Sequence, residues 1–406
     1  MDLGYKIVND PIYGLIEIPK GIILQLIEHR FFQRLRRISQ LGLTHYVYPG
    51  ATHNRFHHSM GAMYLTRQAI QILRSKDVEI TDAEAEAVTI AILLHDLGHG
   101  PFSHSLEHCL IDINHEYLSI LLMEQLNREF DGKLSLAIQI FQNKYSKKFL
   151  YQLVSGQLDM DRMDYLTRDS FFTGVQEGKV GYDRLLKTLN VYKDELVIEH
   201  KGIYSVEKFL IARRLMYWQA YLHKNVICAG EMLIRVVKRA KALYLQGMTL
   251  PVSETLDFFL RQEISQADLK ENTKDIIEYF HNLDDIDILS AIKAFSQHSD
   301  FVLSFLASSL LHRNLLKVEM SNKPIDETYL TSQRQKLKAH YPALTDEELT
   351  YLVFMGKEKN QAYKPGKGEI LIKLKNNTAK PISEWAEHSM QRKEVVKYFI
   401  CYPESI

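Results

Sequence analysis

The sequence predicts a mainly α-helical protein, a helical core followed by a small α+β C-terminal lobe. Three observations carry that reading. Apolar residues recur at helical spacing over most of the chain before the C-terminal lobe. The run Ile90–Leu94 is apolar on nearly every side, marking a buried helix, and leads straight into His95-Asp96 before breaking at Gly98, Gly100 and Pro101. From Tyr363 the texture changes: Gly366 and Gly368 precede the alternating run Glu369–Leu374, and Val395–Cys401 is a second β-like run. A chain of 406 residues can bury a large core in more than one domain. The expected divisions are an N-terminal segment and helix (1–50), a core (51–245), a helical extension (246–320) and the lobe (321–406).

In order, Lys6–Ile18 reads as extended, with a turn at Asp10-Pro11 and Gly14. Ile22–Leu41 has helical spacing; its Arg34, Arg36 and Arg37 suit a solvated face or an anion site equally. Gly42–His53 is a loop punctuated by Pro49-Gly50. Ser59–Arg74 is an amphipathic helix, with Arg55 and His58 just ahead of it. Thr81 and Glu84 form a capping box for the helix that runs into His95-Asp96. His115-Glu116 opens another amphipathic helix through Leu126.

In Leu158–Ser170, helical geometry puts Asp161, Tyr165 and Asp169 on one face. Two acids there repel unless a cation lies near them; the plainer alternative is a solvated face with pairs such as Asp164–Arg168. Leu196–Ile203 looks like a hairpin around His200-Lys201-Gly202. Val206–Ala242 is a long helical pattern with Arg213, Tyr217 and Tyr221 on one face. That trio suits a nucleotide, guanidinium for phosphate and rings for sugar or base, or an arginine snorkelling over aromatic core. Leu256–Leu316 is mostly helical, and Thr345 caps a helix from Asp346.

Composition excludes several functions. Acids and bases balance at 50 each, so no bulk field exists to grip duplex nucleic acid or an anionic membrane. Cys109, Cys228 and Cys401 form no CxxC pair, arguing against a disulfide framework or a cysteine zinc site. No run approaches a membrane span of about 20 apolar residues, and the start lacks the pattern of a signal peptide. A cytoplasmic protein is expected. Histidines crowd one region: His53, His57, His58, His95, His99, His104, His108 and His115. That crowding points to metal or acid–base chemistry.

His58, His95, Asp96 and Asp161 fall at or near predicted helix ends. Two imidazoles and two carboxylates make a sensible shell for one divalent ion with open positions: Mn, Fe, Ni, Co or Zn, with Mg able to substitute. The order H…HD…D resembles the HD-domain metal-dependent phosphohydrolases. QRLRRISQLGLTHYVYPGATHNRFHHSMG, HDLGHGPFSH, HE and LDMDRMDYLTRD resemble the deoxynucleoside triphosphate triphosphohydrolase branch, especially the catalytic domain of eukaryotic SAM-and-HD-domain dNTPases. The likeness runs from about Lys6 to Lys224 and fades in the C-terminal third.

The resemblance implies an HD-domain helical core that binds metal through His58, His95, Asp96 and Asp161. It places catalytic histidines at His104 and His115, with Glu116 beside the latter and Glu107 nearby. Phosphate-binding positions fall on Arg55, Arg162 and Arg213. Sugar contacts fall on Gln40, Leu41, Tyr165, Asp169 and Tyr221, and Tyr217 stands where the eukaryotic pocket has histidine. A deoxynucleoside 5′-oxygen leaves poorly as an alkoxide, so His115 is the expected general acid, oriented by Glu116. Leu41 and Tyr221 against the sugar would exclude a ribose 2′-hydroxyl. Lys6, Asn9, Glu28, Gln33 and Arg36 match an activating-nucleotide site between subunits, so a homo-oligomer (dimer or tetramer) is expected. The implied activity is hydrolysis of dNTPs to deoxynucleoside and triphosphate. The alternatives are another HD phosphohydrolase, acting on a nucleoside monophosphate, cyclic nucleotide or alarmone, and a protein that only binds nucleotide or single-stranded nucleic acid.

Overall fold

Asn54 starts the first core helix four residues before the periodicity predicts. Its side chain accepts from His57 N while the His57 side chain bonds back to Asn54 N, and the helix runs Arg55–Arg74. Arg55 and His58 therefore sit inside the first turn and not ahead of it. The computed structural model describes residues 4–360, 366, 368–385 and 395–404, without the side chains of His104, Lys270 and Glu271.

Tyr5–Asp10 and Gly14–Pro19 pair antiparallel, with Lys6 opposite Ile18 and Asn9 opposite Leu15. Asp10 closes their turn, its Oδ1 accepting from Ile12 N and Tyr13 N. The helix expected over Ile22–Leu41 is broken. Ile22–Glu28 ends where His29 turns extended (φ −69°, ψ 144°), and Arg30–Gln33 and a 3₁₀ turn Arg34–Arg37 follow. Its three arginines part company. Arg34 is buried and donates to the carbonyls of Leu97, His99 and Leu283. Arg36 stacks on Phe56, and Arg37 pairs with Asp284.

The capping box at Thr81 and Glu84 forms as expected and opens Asp82–Leu94, whose residues from Ala87 onward are all buried. The chain turns at His95–Gly98 beneath the start of the helix His115–Glu129. A Cβ on Gly98 would lie 2.0 Å from His115 O, so only glycine fits the approach. Ser119 Oγ ties the turn down, accepting from Gly98 N and donating to His95 O.

Met160–Thr173 crosses Arg55–Arg74 at Gly61. The Asp164–Arg168 pair fills that crossing and is fully buried, not a solvated face. The expected long helix over Val206–Ala242 is also interrupted. Ile203–Met216 widens into a π turn at Tyr217–Tyr221, and Lys224–Leu245 starts afresh at His223. The expected hairpin is displaced towards the N-terminus. Its strands are Leu189–Tyr192 and Glu195–Glu199, and Lys193 and Asp194 make the turn at φ 49° and 61°.

The helices Glu254–Leu260, Gln266–Asn282, Asp285–Phe295 and Phe301–Leu311 extend the core. Beyond them, Val395–Tyr402 lies between Lys317–Ser321 and Phe354–Asn360, antiparallel to both. Leu371–Lys373 joins a different sheet: it pairs parallel with Glu195–Glu199 and antiparallel with Ala379–Pro381. The C-terminal segment is therefore stitched into the core by backbone hydrogen bonds. Among the described residues, no helix is long and apolar enough to cross a membrane.

Candidate active site

The two imidazoles of the centre are each held from behind. His58 Nδ1 lies 2.7 Å from Asp164 Oδ2, and His95 Nδ1 lies 2.6 Å from Ile92 O. With each Nδ1 engaged, the two Nε2 atoms are left to face each other, at 3.3 Å, and would offer lone pairs to an ion in exchange for any proton they carry. Asp161 Oδ1 completes the cluster, 3.1 Å from His58 Nε2 and 3.6 Å from His95 Nε2. Two inward-facing imidazole nitrogens beside a carboxylate suit a cation between them, and these ligand atoms all lie within 4.8 Å of one another. Burial opposes charge on His58, but its bonds to Asp161 and Asp164 more than offset it and raise the pKa to about 10. The set thus fits a divalent ion. Asp96 stands beside it, Oδ1 3.3 Å from His95 Nε2 and Oδ2 3.8 Å from His58 Nε2.

Arg55 donates to Asp96 Oδ2 (2.6 Å) and Ser103 Oγ (3.1 Å), while its buried Nη2 has no partner. Arg55 lines the same cavity as the cluster, and its spare donor is suited to a phosphate oxygen. Asp159 pairs with Arg162, raising its pKa further and fixing its charge at the cavity wall.

His115 is oriented by Glu107, not by Glu116. Its Nδ1 lies 2.6 Å from Glu107 Oε1 across the turn, whereas Glu116 is exposed at the cavity wall with its backbone N capped by Asn114. Burial raises Glu107, but the bond and charge of His115 win, leaving it at about 2. The other face of His115 stacks on His99, rings 4.1 Å apart, and His99 Nε2 lies 3.4 Å from Asp96 Oδ1. His104 lies in the short helix Ser103–Leu106, and its side chain is outside the described ones. That helix follows Phe102, held left-handed at φ 48°, with its N–H donating to Asp285 Oδ1.

The cavity, about 990 Å³, also takes in Gln40, Leu41, Tyr165, Asp169, Tyr217 and Tyr221. Asp169 is already engaged: Oδ1 lies 2.7 Å from His53 Nε2, and Oδ2 accepts from Tyr221 OH at 2.6 Å. Arg213 does not line this cavity. Its guanidinium lies 6.0 Å from the Tyr217 ring centre, and Nε and Nη1 are buried without partners. Tyr217 packs edge-on to Tyr221, rings 5.1 Å apart, so the predicted Arg213–Tyr217–Tyr221 row forms, but only its two rings reach the cavity.

Sequence reasoning gave no role to Asp10 or Arg168 as neighbours of the site, and counted His53 and His99 only among the crowded histidines. For Arg168 the signal was present, as the i, i+4 partner of Asp164, and His99 is the local i, i+3 partner of Asp96. Asp10 and His53 approach through tertiary packing.

The HD domain family matches residues 55–169, and the HD associated region matches residues 180–249. YwfO of Bacillus subtilis, an uncharacterized protein, is 34% identical over 319 residues, 77% of this chain and 71% of that protein. A phosphohydrolase structure from Bacteroides thetaiotaomicron has 49% identity and a TM-score of 0.95, covering 98% of this chain and 100% of that one.

The chain belongs to the HD-domain phosphohydrolase family.

The cluster His58, His95 and Asp161 falls within the matched HD domain, on Arg55–Arg74, on the turn after Asp82–Leu94 and on Met160–Thr173. The human deoxynucleoside triphosphate triphosphohydrolase SAMHD1 is 32% identical over 269 residues, 55% of this chain and 43% of that protein. The chain thus spans less than half the length of that relative.

Proposed function

We propose that this HD phosphohydrolase hydrolyses deoxynucleoside triphosphates to deoxynucleoside and intact triphosphate. The observation that carries the reading is one cavity combining the His58–His95–Asp161 cluster, the orphan Arg55 donor with Arg162, and the wall of Leu41, Tyr165 and Tyr221. The likeness to SAMHD1 supports the same substrate class.

His58, His95 and Asp161, with Asp96 beside them, would hold the ion. When bound, the ion polarises the phosphate and lowers the pKa of water. Arg55 and Arg162 neutralise the phosphate chain, and two cations suit a long chain better than a single phosphate. His115, held through Nδ1 by Glu107, is left with Nε2 to give a proton to the departing 5′-oxygen. Tyr221, fixed by Asp169, and Leu41 form the wall that a ribose 2′-hydroxyl would meet.

A second nucleotide site, activating and shared between subunits of a dimer or tetramer, belongs to the same proposal. In support, Lys6, on the hairpin that carries Asn9, lies 3.2 Å from Glu28, and Arg36 Nε donates to the neighbouring Gln33 Oε1. The test is incubation with each dNTP and NTP plus Mn²⁺ or Mg²⁺, alone and in mixtures, with products separated by ion exchange. Free triphosphate is expected. Orthophosphate or pyrophosphate would move the chain to another HD substrate. If dGTP leaves both oligomeric state and turnover of other dNTPs unchanged, the activating site falls.

A further inference from the structure

A line of buried charge runs from the N-terminal hairpin to the metal cluster. Asp10 Oδ2 lies 2.9 Å from Arg168 Nη1. Arg168 grips Asp164 with two parallel bonds, Nε to Oδ2 and Nη2 to Oδ1, both 3.0 Å. Asp164 Oδ2 in turn lies 2.7 Å from His58 Nδ1. The side chains of Arg168 and Asp164 are wholly buried, and that of Asp10 is 5% exposed. The pair has a slot of its own, because any Cβ on Gly61 would lie 2.0 Å from Asp164 Oδ1 and 2.2 Å from Arg168 Nη2.

We propose that Asp10, on the turn of the hairpin, is a positioning residue of the metal site, acting through Arg168 and Asp164 on His58. The inference rests on His58 being a metal ligand. A carboxylate that accepts from the far nitrogen of a ligating imidazole fixes its tautomer and raises its donor strength. Arg168 competes for that same carboxylate. Asp10 takes up part of the arginine's charge and leaves Asp164 the stronger acceptor. Without Asp10, a wholly buried guanidinium has one anion instead of two and draws on Asp164 alone. The seating of the hairpin thus sets how well His58 holds the ion.

Asp10→Asn separates this role from turn formation. The amide keeps the oxygen that caps Ile12 N and Tyr13 N and loses the charge that meets Arg168. The experiment is calorimetric titration of chelator-stripped full-length protein with Mn²⁺, alongside the melting temperature of the metal-free form. Wild type should bind Mn²⁺ and His58→Ala should not. Were His58→Ala to bind like wild type, the metal assignment would fail and this proposal with it. Asp10→Asn should weaken Mn²⁺ binding by about three- to tenfold, below the 10- to 100-fold of a direct partner. Asp82→Asn, which removes an exposed pair with Arg74 at the far end of the His58 helix, should leave it unchanged. Arg168→Lys, which keeps the charge but not the bidentate grip, should weaken it as well, and decides the matter if Asp10→Asn does not fold. Affinities within twofold of wild type in the folded variants, whatever the melting temperature, would overturn the proposal.

Discussion

Gly61→Ala is the sharpest structural test of how the active-site helices are held together. In an ordinary exposed helix, the change stabilises by about 1 kcal/mol through propensity. Here the added methyl would lie 2.0 Å from Asp164 Oδ1 and 2.2 Å from Arg168 Nη2. Relief requires either that Met160–Thr173 move away from Arg55–Arg74 or that the ion pair leave its slot. Overpacking typically costs about 1–3 kcal/mol. Loosening a wholly buried pair adds part of the roughly 3–5 kcal/mol seen when such pairs are broken. After the propensity gain, a net loss of about 2–4 kcal/mol is expected. Urea denaturation followed by circular dichroism measures it, wild type and variant side by side. Because Asp164 also holds His58, Mn²⁺ affinity should fall in the same variant. A Gly61→Ala protein as stable as wild type, or more so, would refute the reasoning.

Glu107→Gln should lower kcat for dNTP hydrolysis by about 100-fold with little change in KM, because it removes the anion behind His115; Glu116→Gln should cost less, and the reverse order would return the orienting role to Glu116. His95→Ala or Asp96→Ala should abolish both metal retention, measured by elemental analysis, and turnover. Tyr221→Phe removes the bond to Asp169 and should lower the ratio of dNTP to NTP turnover, read from kcat/KM for matched pairs. Glu199 is opposed by burial but held at about 2, below the usual 4.5, by Lys201, Lys76 and Asn190. A depressed carboxylate stabilises the fold above its unfolded pKa, and that contribution is lost as pH falls from about 4.5 towards 2. Melting temperatures between pH 5 and 3 should therefore fall less steeply in Glu199→Gln than in wild type.

What was legible in the sequence was local. Thr81 and Glu84 cap their helix because both partners lie within one turn. Asp161, Tyr165 and Asp169 share a face because their helix is unbroken, and all three line the cavity. The partner of His115 was harder, since Glu116 is its neighbour in sequence but is exposed at the cavity wall, whereas Glu107 reaches it across a bridged turn. Asp164–Arg168 was visible as a pair, but its burial depends on a hairpin far away in sequence and on one glycine of another helix. The displaced hairpin has a related cause. Glycine marks left-handed turns in sequence, yet Lys193 and Asp194 adopt that conformation, and Gly202 lies in a 3₁₀ turn. Propensity alone pointed to the wrong place.

The strand Glu195–Glu199 has a consequence for how the protein is made. Its parallel partner is Leu371–Lys373, and Lys317–Ser321 and Phe354–Asn360 both await the strand Val395–Tyr402 that lies between them. During synthesis from the N-terminus, the HD core leaves the ribosome with the Glu195–Glu199 edge that Leu371–Lys373 will cover still open. The facing edges of Lys317–Ser321 and Phe354–Asn360 stay open until Val395–Tyr402 has emerged. Such long-range closures are slow, and open edges recruit other chains. Nascent chains stalled short of Val395 should therefore depend on chaperones to avoid aggregation, although every residue of the metal cluster has already been translated.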